Sequence, residues 1–188
     1  MSMVSRMVAH QRLRKRMEAL RPDLYRLAYS WCQDAQLADD LVQDCMERGL
    51  KRIDQLKDHE QLKAWLARIL SNLHVDFRRR NRETVQFDEN MAPASGHAQW
   101  DGARSRLIHQ TRHAVNQLNE DQRKTLTLVD LMGFSYAEVA EVLEVPVGTV
   151  MSRLHRARNN LKTMLAPEAR PEASDGAERP AMKPRRVK

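Results

Sequence analysis

The residues best equipped for chemistry in this chain of 188 residues are cations with a few amides and hydroxyls among them, not nucleophiles beside bases. Between positions 149 and 162 stand Arg153, Arg156, Arg158 and Lys162 with no acid, and Ser152 and His155 share the stretch. Guanidinium forks and hydroxyls at helical spacing suit phosphate oxygens and base edges. Farther upstream, Asn72 is followed by a run of cations, Arg78, Arg79, Arg80 and Arg82. Asp34, Asp39, Asp40, Asp44 and Glu47 lie together with no base between them. Such a patch repels DNA and suits a basic protein partner. There is no Ser-His or Cys-His cluster, no phosphate-cradling glycine loop, no dinucleotide fingerprint and no HExxH. His109 and His113 are spaced i, i+4 but lack a third ligand, and Cys32 and Cys45 are expected as buried thiols on apolar helix faces. We therefore expect no enzyme activity, no metal and no cofactor.

Composition agrees with a nucleic-acid partner. The net charge is +7, and 24 of the 32 basic residues are Arg, the side chain built for bidentate recognition. No apolar stretch approaches the ~18 residues of a membrane span, and the basic N-terminus lacks a secretory core segment, so a cytoplasmic protein is expected. Charge divides the chain. Residues 1–82 carry a net +6, residues 83–105 a net −3, and residues 106–165 and 166–188 a net +2 each. The 83–105 stretch has Pro93, Ser95, Gly96 and Gly102 and no period, which predicts a linker. Four prolines and little apolar content predict a disordered tail over 166–188.

Both flanked segments read as helices. Leu62, Trp65, Leu66, Ile69, Leu70, Leu73 and Phe77 form one stripe of a long amphipathic helix, with Lys63, Arg68, Ser71, Asn72, Arg78 and Arg79 on its other face. Leu24, Leu27, Ala28 and Trp31 mark an earlier helix, and Leu37, Leu41, Val42, Cys45 and Met46 another. Asp76 is expected to pair with a neighbouring Arg. In the second half, Ser135 with Glu138 three residues on forms a capping box for a short helix packed through Val139, Ala140 and Leu143. Val145, Pro146, Val147 and Gly148 make a turn, Thr149 starts a second helix, and Val150, Leu154, Ala157 and Leu161 point inward. A short acidic helix, a tight turn and a helix with only positive charge make a helix-turn-helix.

These motifs carry a resemblance. VPVGTVMSRLHRAR, preceded by LNEDQRKTLTLVDLMGFSYAEVAEVL, resembles region 4 of the sigma-70 family, in its extracytoplasmic-function group. LYRLAYSWCQDAQLADDLVQDCMERGLKRIDQL and LKAWLARILSNLHVDFRRRNR resemble region 2. The resemblance implies an all-α protein of two small helical domains joined by a flexible linker. Region 2 would span 10–82, the linker 83–105, region 4 106–165 and the tail 166–188. It implies a sigma factor that binds core RNA polymerase, through its β′ and β subunits, and directs promoter-specific initiation.

Its residue roles follow by position. Asp40, Gln43 and Asp44 match the surface that docks on the β′ coiled coil. Residues 55–61, among them Leu56, Lys57, Asp58 and His59, match the loop that captures an unstacked base of the −10 element, with Asn72 and Arg79 beside it. Thr149, Ser152, Arg153, His155 and Arg156 match the face that reads the −35 element. Met151 stands where the group often has a base. The acidic linker, with Asp88, Glu89 and Asp101, would thread the polymerase toward the RNA path. Promoter DNA and an inhibitory anti-sigma factor are the further partners implied. A stand-alone helix-turn-helix regulator, or a mimic of sigma surfaces, are the alternatives the residues leave open.

Overall fold

The computed structural model describes residues 3–56, 58–84 and 103–166, and helices account for nearly all of them, with no strand among them. The all-α expectation therefore holds. Lys57, the linker residues 85–102 and the tail from 167 lie outside the described residues.

Three helices make the first unit: α1 (Met3–Cys32), α2 (Ala35–Lys51) and α3 (Leu62–Thr84), with two short 3-10 turns at Ile53–Gln55 and His59–Gln61. Asp34 caps α2 by accepting from the Leu37 N–H at 3.0 Å. Arg48 and Lys51 stand in its last turn, where the helix dipole favours cations. The apolar stripe of α3 meets Met17, Leu24 and Leu27 of α1 and Val42 and Cys45 of α2 in a closed core. Gly49 lets α2 cross close, since a Cβ there would stand 2.8 Å from Met17 Cε and 2.9 Å from Leu66 Cδ2. Trp65 is only half-buried and packs against that core.

Four helices make the second: α4 (Ala103–Gln117), α5 (Glu120–Leu126), α6 (Tyr136–Leu143) and α7 (Val147–Leu165). A single wide turn, Thr127–Leu131, follows α5, closed by the Met132 N–H on the Thr127 carbonyl at 3.1 Å. The capping box of α6 is complete: the Glu138 N–H reaches Ser135 Oγ at 3.3 Å and the Ser135 N–H reaches Glu138 Oε2 at 2.8 Å. Glu144 ends α6 in the left-handed region (φ 55°), a place glycine usually fills. α7 starts two residues sooner than its sequence suggests, because Pro146 with φ −59° leads the chain into it. Val150, Leu154 and Ala157 face inward as expected.

The two units are not separate bodies in this arrangement. Leu128, Met132, Phe134, Val139, Ala140, Val142 and Val150 join the core of the first unit. Leu118, Leu126, Leu154 and Ala157 form a smaller cluster of their own. At about 1.5–3 kcal/mol for each large apolar side chain buried, the shared core contributes substantially to both halves.

Candidate nucleic-acid and polymerase interfaces

α7 carries the expected reader. Its inward residues pack on α5 and α6, which leaves His155 and Arg156 exposed and Thr149, Ser152 and Arg153 half-exposed. Two of its cations are already held: Arg153 by the Asp121 carboxylate of α5, and Arg158 by Asp130 at 2.7 Å. The Ser152 hydroxyl donates to the Thr149 carbonyl at 3.0 Å, and Arg156 lies 3.4 Å from Ser152 Oγ.

The first unit presents three groups. On α2, Asp40, Gln43 and Asp44 are exposed on one face with Asp39 and Glu47, and Gln43 Nε2 lies 3.5 Å from Glu47 Oε1. On α3, Asn72 and Arg79 are exposed, and Asp76 pairs with Arg79 at 3.5 Å. Between α2 and α3, Asp58 and His59 are exposed, and Asp58 caps its turn through the Glu60 N–H at 2.9 Å. Leu56 turns inward into the core, so what it offers a ligand is backbone. Asn72, Arg79 and the 58–59 turn are thus placed on or beside one helix, while the α7 residues sit on the other unit.

A third cluster lies between the units, and its pairings join residues far apart in the chain. Trp31 Nε1 donates to Thr127 Oγ1 at 2.9 Å, and the Thr127 hydroxyl in turn donates to the Arg123 carbonyl at 2.8 Å. Glu120, in the first turn of α5, meets Lys124 at 2.9 Å, His74 Nδ1 at 3.4 Å and Arg78 at 3.5 Å. The Lys124 ammonium also sits 5.4 Å from the centre of the Trp31 ring, and His74 packs edge-on to that ring. Farther along α3, Lys63 donates to the Met132 carbonyl at 2.6 Å, and Arg68 grips one oxygen of Glu144 at 2.8 and 3.1 Å. Ser71, expected on a solvated face, is buried.

Electrostatics in this cluster follow from burial and pairing. His74, 1% exposed, is lowered from its ordinary value mainly by burial, with Glu120 pulling the other way. Its Nδ1 is at ion-pair distance from Glu120 but out of line for a hydrogen bond, so it is left without one. His74 and then Lys124 hold the Glu120 carboxyl well below the usual carboxylate range against the opposing effect of burial. Burial lowers Lys124 despite the same contact. One clue was legible: His74 sits four residues after Leu70, on the buried stripe of α3, where a polar group needs a partner.

No group of three metal-ligating side chains occurs among the described residues, and His109 and His113 are exposed. Cys45 is buried, its Sγ 3.3 Å from the Leu66 carbonyl, and burial pushes its thiol up to about 12. Cys32 is half-buried, also raised mainly by burial. No helix among the described residues is long and apolar enough to cross a membrane.

A three-helix unit with an exposed acidic face, followed by a capped helix-turn-helix with a basic outer face, defines a two-part transcription factor. Comparison with known proteins makes the class specific. Residues 16–84 match the family Sigma-70 region 2, and residues 108–161 match Sigma-70, region 4. The sequence is 38% identical over 146 residues to the ECF RNA polymerase sigma factor EcfG of Rhodopseudomonas palustris, covering 77% of this chain and 80% of that one. It is 27% identical over 154 residues to the ECF RNA polymerase sigma factor SigW of Bacillus subtilis, covering 76% and 82%. Among solved structures, the sigma factor RpoE in complex with the anti-sigma factor NepR from Bartonella quintana is similar at TM-score 0.69 and 31% identity, over 82% of this chain and 96% of that one. The chain belongs to the extracytoplasmic-function group of the sigma-70 family. It is an RNA polymerase sigma factor, a class of initiation factors that are not themselves enzymes. A stand-alone helix-turn-helix regulator leaves the whole region 2 match unexplained.

Proposed function

We propose that this sigma factor docks on core RNA polymerase through Asp40, Gln43 and Asp44, and reads the −10 element with Asn72, Arg79 and the turn at Asp58 and His59. It reads the −35 element with the outer face of α7, where Thr149, Ser152, Arg153, His155 and Arg156 stand. Region 2 (10–82) and region 4 (106–165) then fall within the two described units, and the connector proposed at 83–105 takes in the end of α3 at Thr84 and the start of α4 at Ala103. The observation that carries this reading is the segregation of charge on solvent faces. The exposed face of α2 is acidic, and α7 from Thr149 to Lys162 holds four bases and no acid. A protein partner and a polyanion are thereby directed to opposite kinds of surface.

Reading both elements requires the units to part. Elements centred about 35 and 10 base pairs upstream lie ~85 Å apart at ~3.4 Å per base pair. A chain of this size packed as one body has a radius of gyration of about 16 Å and is about 40 Å across. The arrangement joined through Trp31, His74, Glu120 and Lys124 is therefore the form that does not span a promoter. It is also a form that an anti-sigma factor could hold, in keeping with the complex of the Bartonella quintana relative.

The test is run-off transcription with purified core polymerase on fragmented genomic template. Discrete transcripts that depend on this chain are expected. Their absence, with core binding intact, would refute the promoter-reading assignment.

A further inference from the structure

The first two turns of α7 present less polarity to solvent than their sequence suggests. Arg153 is taken by Asp121, and its side chain is only 23% exposed. Ser152 turns its hydroxyl back to the Thr149 carbonyl. Within those two turns the exposed side chains are apolar: Val147 is 43% exposed and Met151, one turn later, 53%, with the polar His155 and Arg156 exposed on the turn that follows. Gly148 between them leaves open space, since a Cβ there would meet nothing within 4 Å.

We propose that Met151 is a specificity-determining residue that packs on the 5-methyl group of a thymine in the upstream element. This deepens the proposed function and rests on α7 entering the major groove. The residues flanking Met151 select its partner. Four bases and no acid on this helix favour a polyanion over a protein surface. In the major groove the apolar feature that distinguishes one base pair from another is the thymine methyl. Residues near the start of a recognition helix are the ones that reach base edges. The thioether side chain, unbranched and flexible, can follow a methyl group whose position shifts with local groove shape. Arg153 is held by Asp121 on that reading face, and Arg156 is the more exposed of the two guanidinium groups.

The experiment uses the full-length chain as holoenzyme on a promoter found by run-off transcription. Each thymine of the upstream element is replaced in turn by deoxyuridine, which removes only the methyl, and promoter occupancy is measured. The wild-type protein should lose about fourfold at one position, the factor that one buried methyl supplies. Met151→Ala should be indifferent to that replacement. Met151→Lys should shift the preference at that pair from T·A toward a guanine, to which a lysine can donate. The side chain is exposed, so neither variant should change the melting temperature. Uniform tolerance of deoxyuridine by the wild type, or the same fourfold loss in Met151→Ala, overturns the inference. Arg156→Ala distinguishes the two levels. If it weakens occupancy while no methyl matters, the groove reading stands and the Met151 contact falls. If it leaves occupancy of the upstream element unchanged, the groove reading falls, and the inference with it.

Discussion

Glu120→Gln should open the protein. In the closed form the Lys124 side chain is 6% exposed and Glu120 30%, and Trp31 of the other unit covers the ammonium. Removing one partner of a fully buried pair costs about 3–5 kcal/mol, but Glu120 keeps some contact with water and the glutamine carbonyl still accepts from Lys124. The cost to the closed form is then about 2 kcal/mol. In the open form Lys124 meets water and loses little, so the penalty falls on closure. Two kcal/mol is roughly a thirtyfold shift of the closed-to-open ratio. The reporter is hydrogen exchange of the Trp31 indole N–H, which Thr127 accepts only when the units meet. Exchange should accelerate about thirtyfold, and the radius of gyration from X-ray scattering should rise. Asp121→Asn is the control. It removes an acid from the same first turn of α5, but one that pairs with Arg153 within its own unit and leaves the other unit untouched. Equal acceleration in the control would mean that the loss is to the α5 dipole, and acceleration below about threefold in Glu120→Gln would refute the idea that the Glu120 pairs hold the two units together.

Acid should act in the same direction. Closure holds His74 below its ordinary value, mainly by burial beside Trp31, Lys124 and Arg78 with Glu120 opposing, and opening removes that burial. Closure is thus fully held above the ordinary imidazole range and weakens as the pH falls through and below it, so indole exchange, corrected for its intrinsic pH dependence, should quicken from pH 7.5 to 5.5 and be flat in His74→Gln. Asp40→Lys with Asp44→Lys should abolish capture of core polymerase without altering the circular dichroism spectrum, and normal capture would remove the docking assignment. Ser135→Ala breaks the capping box at the foot of the helix-turn-helix and should cost about 1 kcal/mol, seen as a lowered melting temperature. Cys45, with its thiol near 12, should resist a thiol reagent at pH 8 until the protein is denatured, and Cys32 should react before it.

What local periodicity and capping encode was legible in the order of the residues alone. The stripe from Leu62 to Phe77 specified α3, and Ser135 with Glu138 specified the start of α6. The inward set Val150, Leu154 and Ala157 fixed which face of α7 looks out. Those signals act between residues three or four apart, where the helix itself sets the distance. Charge segregation, also legible, told the acidic face of α2 from the basic face of α7. Which of the polar residues remain free was settled by packing between distant elements. Arg153 and Asp121 are 32 positions apart, His74 and Glu120 46, and Trp31 and Thr127 96, so nothing in the spacing of either partner announces the other. Leu56 sits in a loop that reads as polar and accessible, yet the crossing of α2 and α3 leaves an apolar gap that it fills. Ser71 and Lys63 belong to the polar side of α3 by period, and the docking of a second unit turned that side into an interface. A helical repeat fixes which residues share a face, but which surface that face meets depends on how distant elements pack, and that is settled only when the whole chain closes on one core.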